Sequence, residues 1–138
     1  ISGDMTDERI PKRVREKAIA LMEKTKQKTG FVLNPCINYG GKQEILRAVN
    51  NCIKEGITTI TEQDVVNHLY SADLLPLDFI IRTSGENRTS NFQVWQSAYS
   101  EWYFPKTFWP AFTKHDLIKA LKSYMSRERR FGAIKEEK

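Results

Sequence analysis

Arg82, Arg88 and the four hydroxyls of Thr83, Ser84, Thr89 and Ser90 fall within nine residues, directly after the apolar run Phe79-Ile80-Ile81. Guanidinium forks match phosphate oxygens in bidentate fashion, hydroxyls supply short donors, and Gly85 lets the backbone approach a ligand closely. The apolar run reads as a buried strand, and Arg82 to Ser90 as the loop that leaves it. In open α/β sheets ligands bind at the carboxyl ends of strands. This loop is therefore read as an oxyanion cradle in preference to a surface loop whose arginines pair with Glu86. Further on, Glu101 stands among aromatics. Mg²⁺ usually takes one or two carboxylates and completes its shell with water and phosphate oxygens, so one glutamate suffices as a ligand. A solvated carboxylate on a short strand is the equal alternative at this point.

These residues need a scaffold, and the rest of the chain describes one. With 138 residues, 40% of them hydrophobic and 28% charged, the chain has the length and composition of one soluble domain. A net charge of +5 and a pI near 9.3 favour an anionic partner. The basic residues do not interleave with aromatics on one face, and no zinc, RNP or helix-turn-helix pattern occurs, which argues against nucleic acid. No apolar run approaches the roughly 18 residues needed to span a bilayer, and no signal peptide opens the sequence. Cys36 and Cys52 lack CxxC spacing and read as reduced packing residues of a cytosolic protein.

The periodicity predicts a first helix capped by Thr6 or Asp7, with Pro11 in its first turn. Its stripe is Ile10, Val14, Ala18, Leu21, Met22 and Thr25, and Gly30 stops it. Phe31 to Tyr39 reads as a buried strand that turns through Asn38-Tyr39-Gly40-Gly41-Lys42 into a second helix. That turn is not a Walker A loop, because Cys36 and Gln43 stand where glycine and Ser/Thr are required. The second helix presents Ile45, Leu46, Val49, Cys52 and Ile53. A third starts at Thr61 with Asp64 in a capping box, and Val65, Val66, Leu69 and Tyr70 form its stripe. A strand at Leu77 to Ile81, a short helix at Asn91 to Ser100 and a strand at Glu101 to Phe104 follow. The last helix, capped by Thr113 with Asp116, buries Leu117, Ile118, Leu121, Tyr124 and Met125. His68 and His115 show no metal or triad spacing and read as structural or exposed. Alternating strands and helices predict an α/β fold, a parallel sheet flanked by helices on both faces. Three strands leave such a sheet incomplete, so the chain reads as part of a larger domain spanning residues 1–132, with a polar tail at 133–138.

The stretch Asp78 to Phe104 resembles the C-terminal signature of the cis-prenyltransferases, the undecaprenyl diphosphate synthase family, whose pattern runs roughly IRTGGE.R.SNF..WQ.AY.E.YF. Ile81, Arg82, Thr83, Gly85, Glu86, Arg88, Ser90, Asn91, Phe92, Trp95, Gln96, Ala98, Tyr99, Glu101, Tyr103 and Phe104 fall on it. Ser84 stands where the pattern has a second glycine. Further matches are Leu33 to Gly41 with Glu44, Trp109-Pro110 and Arg127 to Gly132, with Lys42 in place of the usual arginine. The resemblance covers the family's C-terminal portion only. It implies transfer of isopentenyl diphosphate onto an allylic diphosphate, such as farnesyl diphosphate, to make a polyprenyl diphosphate such as the cell-wall lipid carrier undecaprenyl diphosphate. It implies that Arg82, Arg88 and Ser90, with Thr89 between them, hold isopentenyl diphosphate, and that Glu101 holds Mg²⁺. It further implies that Arg130 and Gly132 reach across a homodimer interface to the partner's diphosphate, and that the enzyme is cytoplasmic with room for a peripheral membrane contact. No catalytic residue is expected in this chain, because the family's aspartate lies in an upstream Asp-Gly-Asn-Gly-Arg loop that is not found here. The chain alone is therefore expected to be inactive. A non-catalytic accessory subunit of a heterodimeric prenyltransferase is the alternative, and retention of Arg82, Arg88 and Glu101 argues against it.

Overall fold

The computed structural model describes residues 1–128. It falls into two compact units, Ile1–Leu74 and Leu75–Lys138, the second described as far as Glu128.

In the first unit, α1 (Lys12–Thr25), α2 (Gly41–Lys54) and α3 (Glu62–Asn67) follow one another. The expected caps of α1 do not form. Asp4 instead accepts hydrogen bonds from the backbone and hydroxyl of Thr6, and Asp7 accepts from the backbone and guanidinium of Arg9. These Asx-type turns consume the side chains before the helix begins, so α1 starts behind Pro11 with no side-chain cap.

The expected strand Phe31 to Tyr39 is extended chain that makes a single parallel bridge, Ser2 to Cys36. Ser2 donates to the Pro35 carbonyl at 3.0 Å, and Ile37 donates to Ser2 at 2.9 Å. Pro35 has no N–H to give, and Phe31 is 95% exposed, so apolar character alone did not make a ladder here. Gly3 permits the close approach: a Cβ there would lie 1.9 Å from the Ile37 carbonyl oxygen.

The predicted helical faces have the right period, but small residues occupy their buried line. Ala18, Ala48 and Cys52 are buried, whereas Leu21, Met22, Leu46 and Ile53 stay exposed. α2 packs on α3, with Val65 and Leu69 buried. Between Tyr39 and Tyr70 lies Glu44, 1% exposed. It accepts from the Tyr39 hydroxyl at 2.5 Å and the Tyr70 N–H at 2.7 Å.

The α3 capping box forms as expected. Thr61 accepts from the Asp64 N–H, and Asp64 accepts from Thr61, which holds the Asp64 carboxyl below its usual 3.8. At the other end of α3, His68 Nδ1 donates to the Asp64 carbonyl at 2.6 Å, and Nε2 lies 3.0 Å from the Glu55 carboxylate. Acceptors at both nitrogens raise the imidazole pKa above 6.5, the Asp64 carbonyl first and Glu55 second. Burial pushes the neighbouring Cys52 thiol up, as befits a packing residue, and Cys36 and Cys52 are not joined in a disulfide.

The pH dependence of stability follows. Asp64, and Asp116 in the matching Thr113–Asp116 box, have depressed pKa values. Their contribution is present above about 3.8 and lost as pH falls through the lowered values. His68 has a raised pKa, so its contribution is present below about 6.5 and lost as pH rises through the raised value. Urea midpoints are expected to be highest between roughly pH 4 and 6.5. His68→Gln is expected to flatten the alkaline side only, and an unaltered alkaline slope would contradict the assignment.

The second unit holds β1 (Phe79–Ile81), β2 (Glu101–Tyr103) and α4 (Lys114–Met125), with a 3₁₀ turn at Trp109–Ala111. The strands pair in parallel, Phe79 with Glu101, Ile80 with Trp102 and Ile81 with Tyr103. Thr113 and Asp116 cap α4 reciprocally, as the sequence predicts. Ala120 is the buried residue of α4, and Leu117, Ile118, Leu121 and Met125 are exposed, against expectation.

The expected helix from Asn91 to Ser100 is absent. Ser90, Asn91 and Gln93 have φ of 49°, 62° and 47°, and these left-handed residues break the right-handed helix path. The segment is a string of turns, pinned at its end where the Ser100 hydroxyl donates to the Leu77 carbonyl at 2.5 Å. The turns over 91–100 therefore offer the loop no helix N-terminus. Among the described residues, no helix is long and apolar enough to cross a membrane.

Candidate functional site: the loop after β1 and the glutamate of β2

Parallel pairing carries the polar loop out of β1 beside the chain that leaves β2. The backbone N–H of Arg82 donates to Tyr103 at 2.9 Å, that of Ser84 to Thr107 at 2.9 Å, and that of Gly85 to Pro105 at 2.9 Å. Residues 82–85 are thus clamped along 103–107. The reversal needs left-handed backbone at two successive positions, Ser84 at φ 70° and Gly85 at φ 67°. Glycine takes this conformation freely, whereas serine pays about 1 kcal/mol or more. That accounts for the second glycine of the family pattern at position 84, and it makes Ser84 a strained residue at the root of the loop.

Arg82 is half-buried, and its Nε is shielded from solvent without a hydrogen-bond partner. A buried guanidinium N–H left unpaired costs about 1–3 kcal/mol. Arg88 is exposed and ion-paired with Glu86 of the same loop. A ligand must therefore compete with Glu86 for Arg88, while Arg82 offers a donor already vacant. Thr89 and Ser90 are exposed on the loop, where Phe92 donates its N–H to the Thr89 carbonyl.

Glu101 opens β2. Arg127, just beyond α4, donates from Nη1 to Glu101 Oε2 at 2.6 Å and from Nη2 to the Trp102 carbonyl at 2.7 Å. Among the described residues Oε1 of Glu101 accepts no hydrogen bond, which leaves one half-buried carboxylate oxygen open. No cluster of three acidic, His or Cys side chains occurs among the described residues. The donor set thus fits a hard cation that takes one protein oxygen and draws its other ligands from water and phosphate, as Mg²⁺ does.

The placement of these groups relative to each other is not legible in the sequence. Glu101 pairs with Phe79, whereas Arg82 follows Ile81, so the two are separated by about 10 Å along the ladder at roughly 3.3 Å per residue. By strand alternation they also project from opposite faces. Phe79 and Glu101 share the face covered by α4, where the Phe79 and Tyr124 rings lie 5.0 Å apart. The structure brings Glu101 to Arg127 and the root of the arginine loop to residues 103–107. It does not bring Glu101 beside Arg82. No spacing in the sequence carries that register, because it is set only when the two strands pair. Arg127 was readable there only as a cation near a helix C-terminus. Arg130 and Gly132 lie outside the described residues.

Known proteins match this chain closely. The Prenyltransf family model, that of undecaprenyl diphosphate synthases, matches residues 1–132. The isoprenyl transferase of Thermotoga maritima is 47% identical over 92% of this chain and 56% of its own length. The ditrans,polycis-undecaprenyl-diphosphate synthase ((2E,6E)-farnesyl-diphosphate specific) of Vibrio vulnificus is 42% identical over 99% of this chain and 56% of its own length. Among solved structures, lavandulyl diphosphate synthase from Lavandula x intermedia, in complex with dimethylallyl diphosphate, superposes with a TM-score of 0.83. It is 33% identical over 95% of this chain and 58% of that protein. The chain spans about half the length of the curated relatives it matches. The parallel pair of strands, the loop that leaves it and the match through residue 132 agree on one conclusion: the chain belongs to the prenyltransferase family of the undecaprenyl diphosphate synthases.

Proposed function

We propose that this chain serves cis-prenyl chain elongation, in which isopentenyl diphosphate condenses with an allylic diphosphate, and that it contributes the isopentenyl diphosphate site. The observation that carries this reading is the clamped loop after β1, with Arg82 Nε buried and unpartnered at its root. Arg82 binds the diphosphate first, Arg88 joins it by leaving Glu86, and Thr89 and Ser90 supply hydroxyl donors. Oriented donors of this kind act without reorganising during the reaction, which is how positioned charge lowers a barrier. Magnesium, when bound, would neutralise diphosphate charge, and Glu101 Oε1 is the oxygen that would hold it. The two compact units are read as parts of one domain over 1–132, since the family match runs through both. A homodimer fits the separation of Glu101 from the loop of its own chain, because a second copy can then complete each site. A peripheral membrane contact fits a long prenyl product.

Calorimetry of the 138-residue chain with isopentenyl diphosphate, with and without Mg²⁺, tests the reading. Saturable binding strengthened by Mg²⁺ is expected, and no binding at all would overturn it. Radiolabelled isopentenyl incorporation with farnesyl diphosphate is expected to be absent for this chain alone. The Asp-Gly-Asn-Gly-Arg sequence that would position and ionise the allylic diphosphate does not occur in it. Turnover would show that ionisation is done by residues of this chain.

A further inference from the structure

Arg127 is tied to β2 in two places. In the parallel ladder the backbone groups of Glu101 and Tyr103 face β1, as the bonds from Glu101 N–H to Asp78 and from Arg82 N–H to Tyr103 show. Alternation turns the Trp102 carbonyl away from β1, and Arg127 Nη2 takes it at 2.7 Å. The other arm of the same planar fork reaches Glu101 Oε2 at 2.6 Å. The pair is only partly exposed, with side chains at 32% and 28%. The guanidinium is therefore held in register with the carboxylate by two successive residues of one strand, on the carboxylate whose other oxygen, Oε1, would take a cation.

This fixed positive charge acts with opposite sign on two ligands. A bare divalent cation at Oε1 meets a carboxylate whose charge is already compensated, and is repelled by the guanidinium. A complex of the cation with diphosphate carries net negative charge and is attracted by it. We propose that Arg127 keeps Glu101 a poor ligand for a free divalent cation and makes the site selective for a cation that arrives complexed with diphosphate. The inference rests on the reading of Glu101 as a cation ligand. Arg127 is a positioning residue here, and its charge is what matters.

The test uses the 138-residue chain with Mn²⁺ as the probe, followed by electron paramagnetic resonance, alone and as the preformed complex with inorganic diphosphate. Arg127→Gln is expected to bind free Mn²⁺ about tenfold tighter than wild type and the Mn²⁺–diphosphate complex several-fold weaker. This is the scale Coulomb's law gives for a unit charge beside a divalent ion in water-like surroundings. Arg127→Lys, which keeps the charge, is expected to behave as wild type. Adding Glu101→Gln to Arg127→Gln is expected to abolish the gain for the free ion. Arg127→Met removes the same charge and serves if the glutamine variant loses the wild-type circular dichroism. Equal changes for the free ion and the complex, or no change, would overturn the inference, and Mn²⁺ binding that still depends on Glu101 would leave the ligand assignment standing. If Glu101→Gln alters neither free Mn²⁺ binding nor binding of the complex, both fall together.

Discussion

Arg82→Ala is expected to weaken isopentenyl diphosphate binding by about 10- to 100-fold, the equivalent of one charge-assisted contact at roughly 1.5–3 kcal/mol. The loss is concentrated at this residue because its Nε is the one arginine donor on the loop that is buried and vacant. Arg88→Ala is expected to cost less, since Arg88 is exposed and must first leave Glu86. In the assembled enzyme the KM for isopentenyl diphosphate is expected to rise far more than that for the allylic diphosphate. The fold is expected to hold, because the loop is clamped by its backbone: the N–H of residue 82 still donates to Tyr103 in the alanine variant. Isothermal titration of the chain and steady-state KM values for both substrates decide the matter. Equal effects on the two substrates would refute the assignment of this loop to isopentenyl diphosphate.

Glu101→Gln is expected to remove Mg²⁺ dependence and most turnover in the assembled enzyme, by a factor on the order of 10² or more. An amide oxygen offers a hard cation far less charge than a carboxylate. The change is expected to be mild for the fold, because the amide oxygen can still accept from Arg127 and the guanidinium keeps the Trp102 carbonyl. A partly exposed ion pair contributes little to stability, so the melting temperature is expected to move by only a few degrees. Activity titrated against Mg²⁺ beside a melting curve separates the two effects. An unchanged Mg²⁺ curve would exclude Glu101 as the ligand.

The amino-acid sequence was enough to locate the helix starts that local chemistry governs. The Thr61–Asp64 and Thr113–Asp116 boxes formed where they were predicted, because a cap is closed by residues three positions apart and needs no distant partner. It also determined the parallel relation of the strands around Phe79–Ile81 and Glu101–Tyr103, and the polar loop that leaves the first of them. Where competing local bonds existed, pattern reading failed. Asp4 and Asp7 spent their side chains on turns ahead of α1, and left-handed Ser90, Asn91 and Gln93 replaced an expected helix with turns. Apolar periodicity located the faces of α1, α2 and α4, but alanines and a cysteine took the buried line, because burial depends on what lies opposite. The relative placement of Arg82, Glu101 and Arg127 depends on long-range pairing. Register set Glu101 opposite Phe79 and away from Arg82, and it brought Arg127 from beyond α4 onto the same carboxylate across 26 residues of chain. Such pairings are fixed by how strands align and helices pack, so they are absent from any spacing in the sequence.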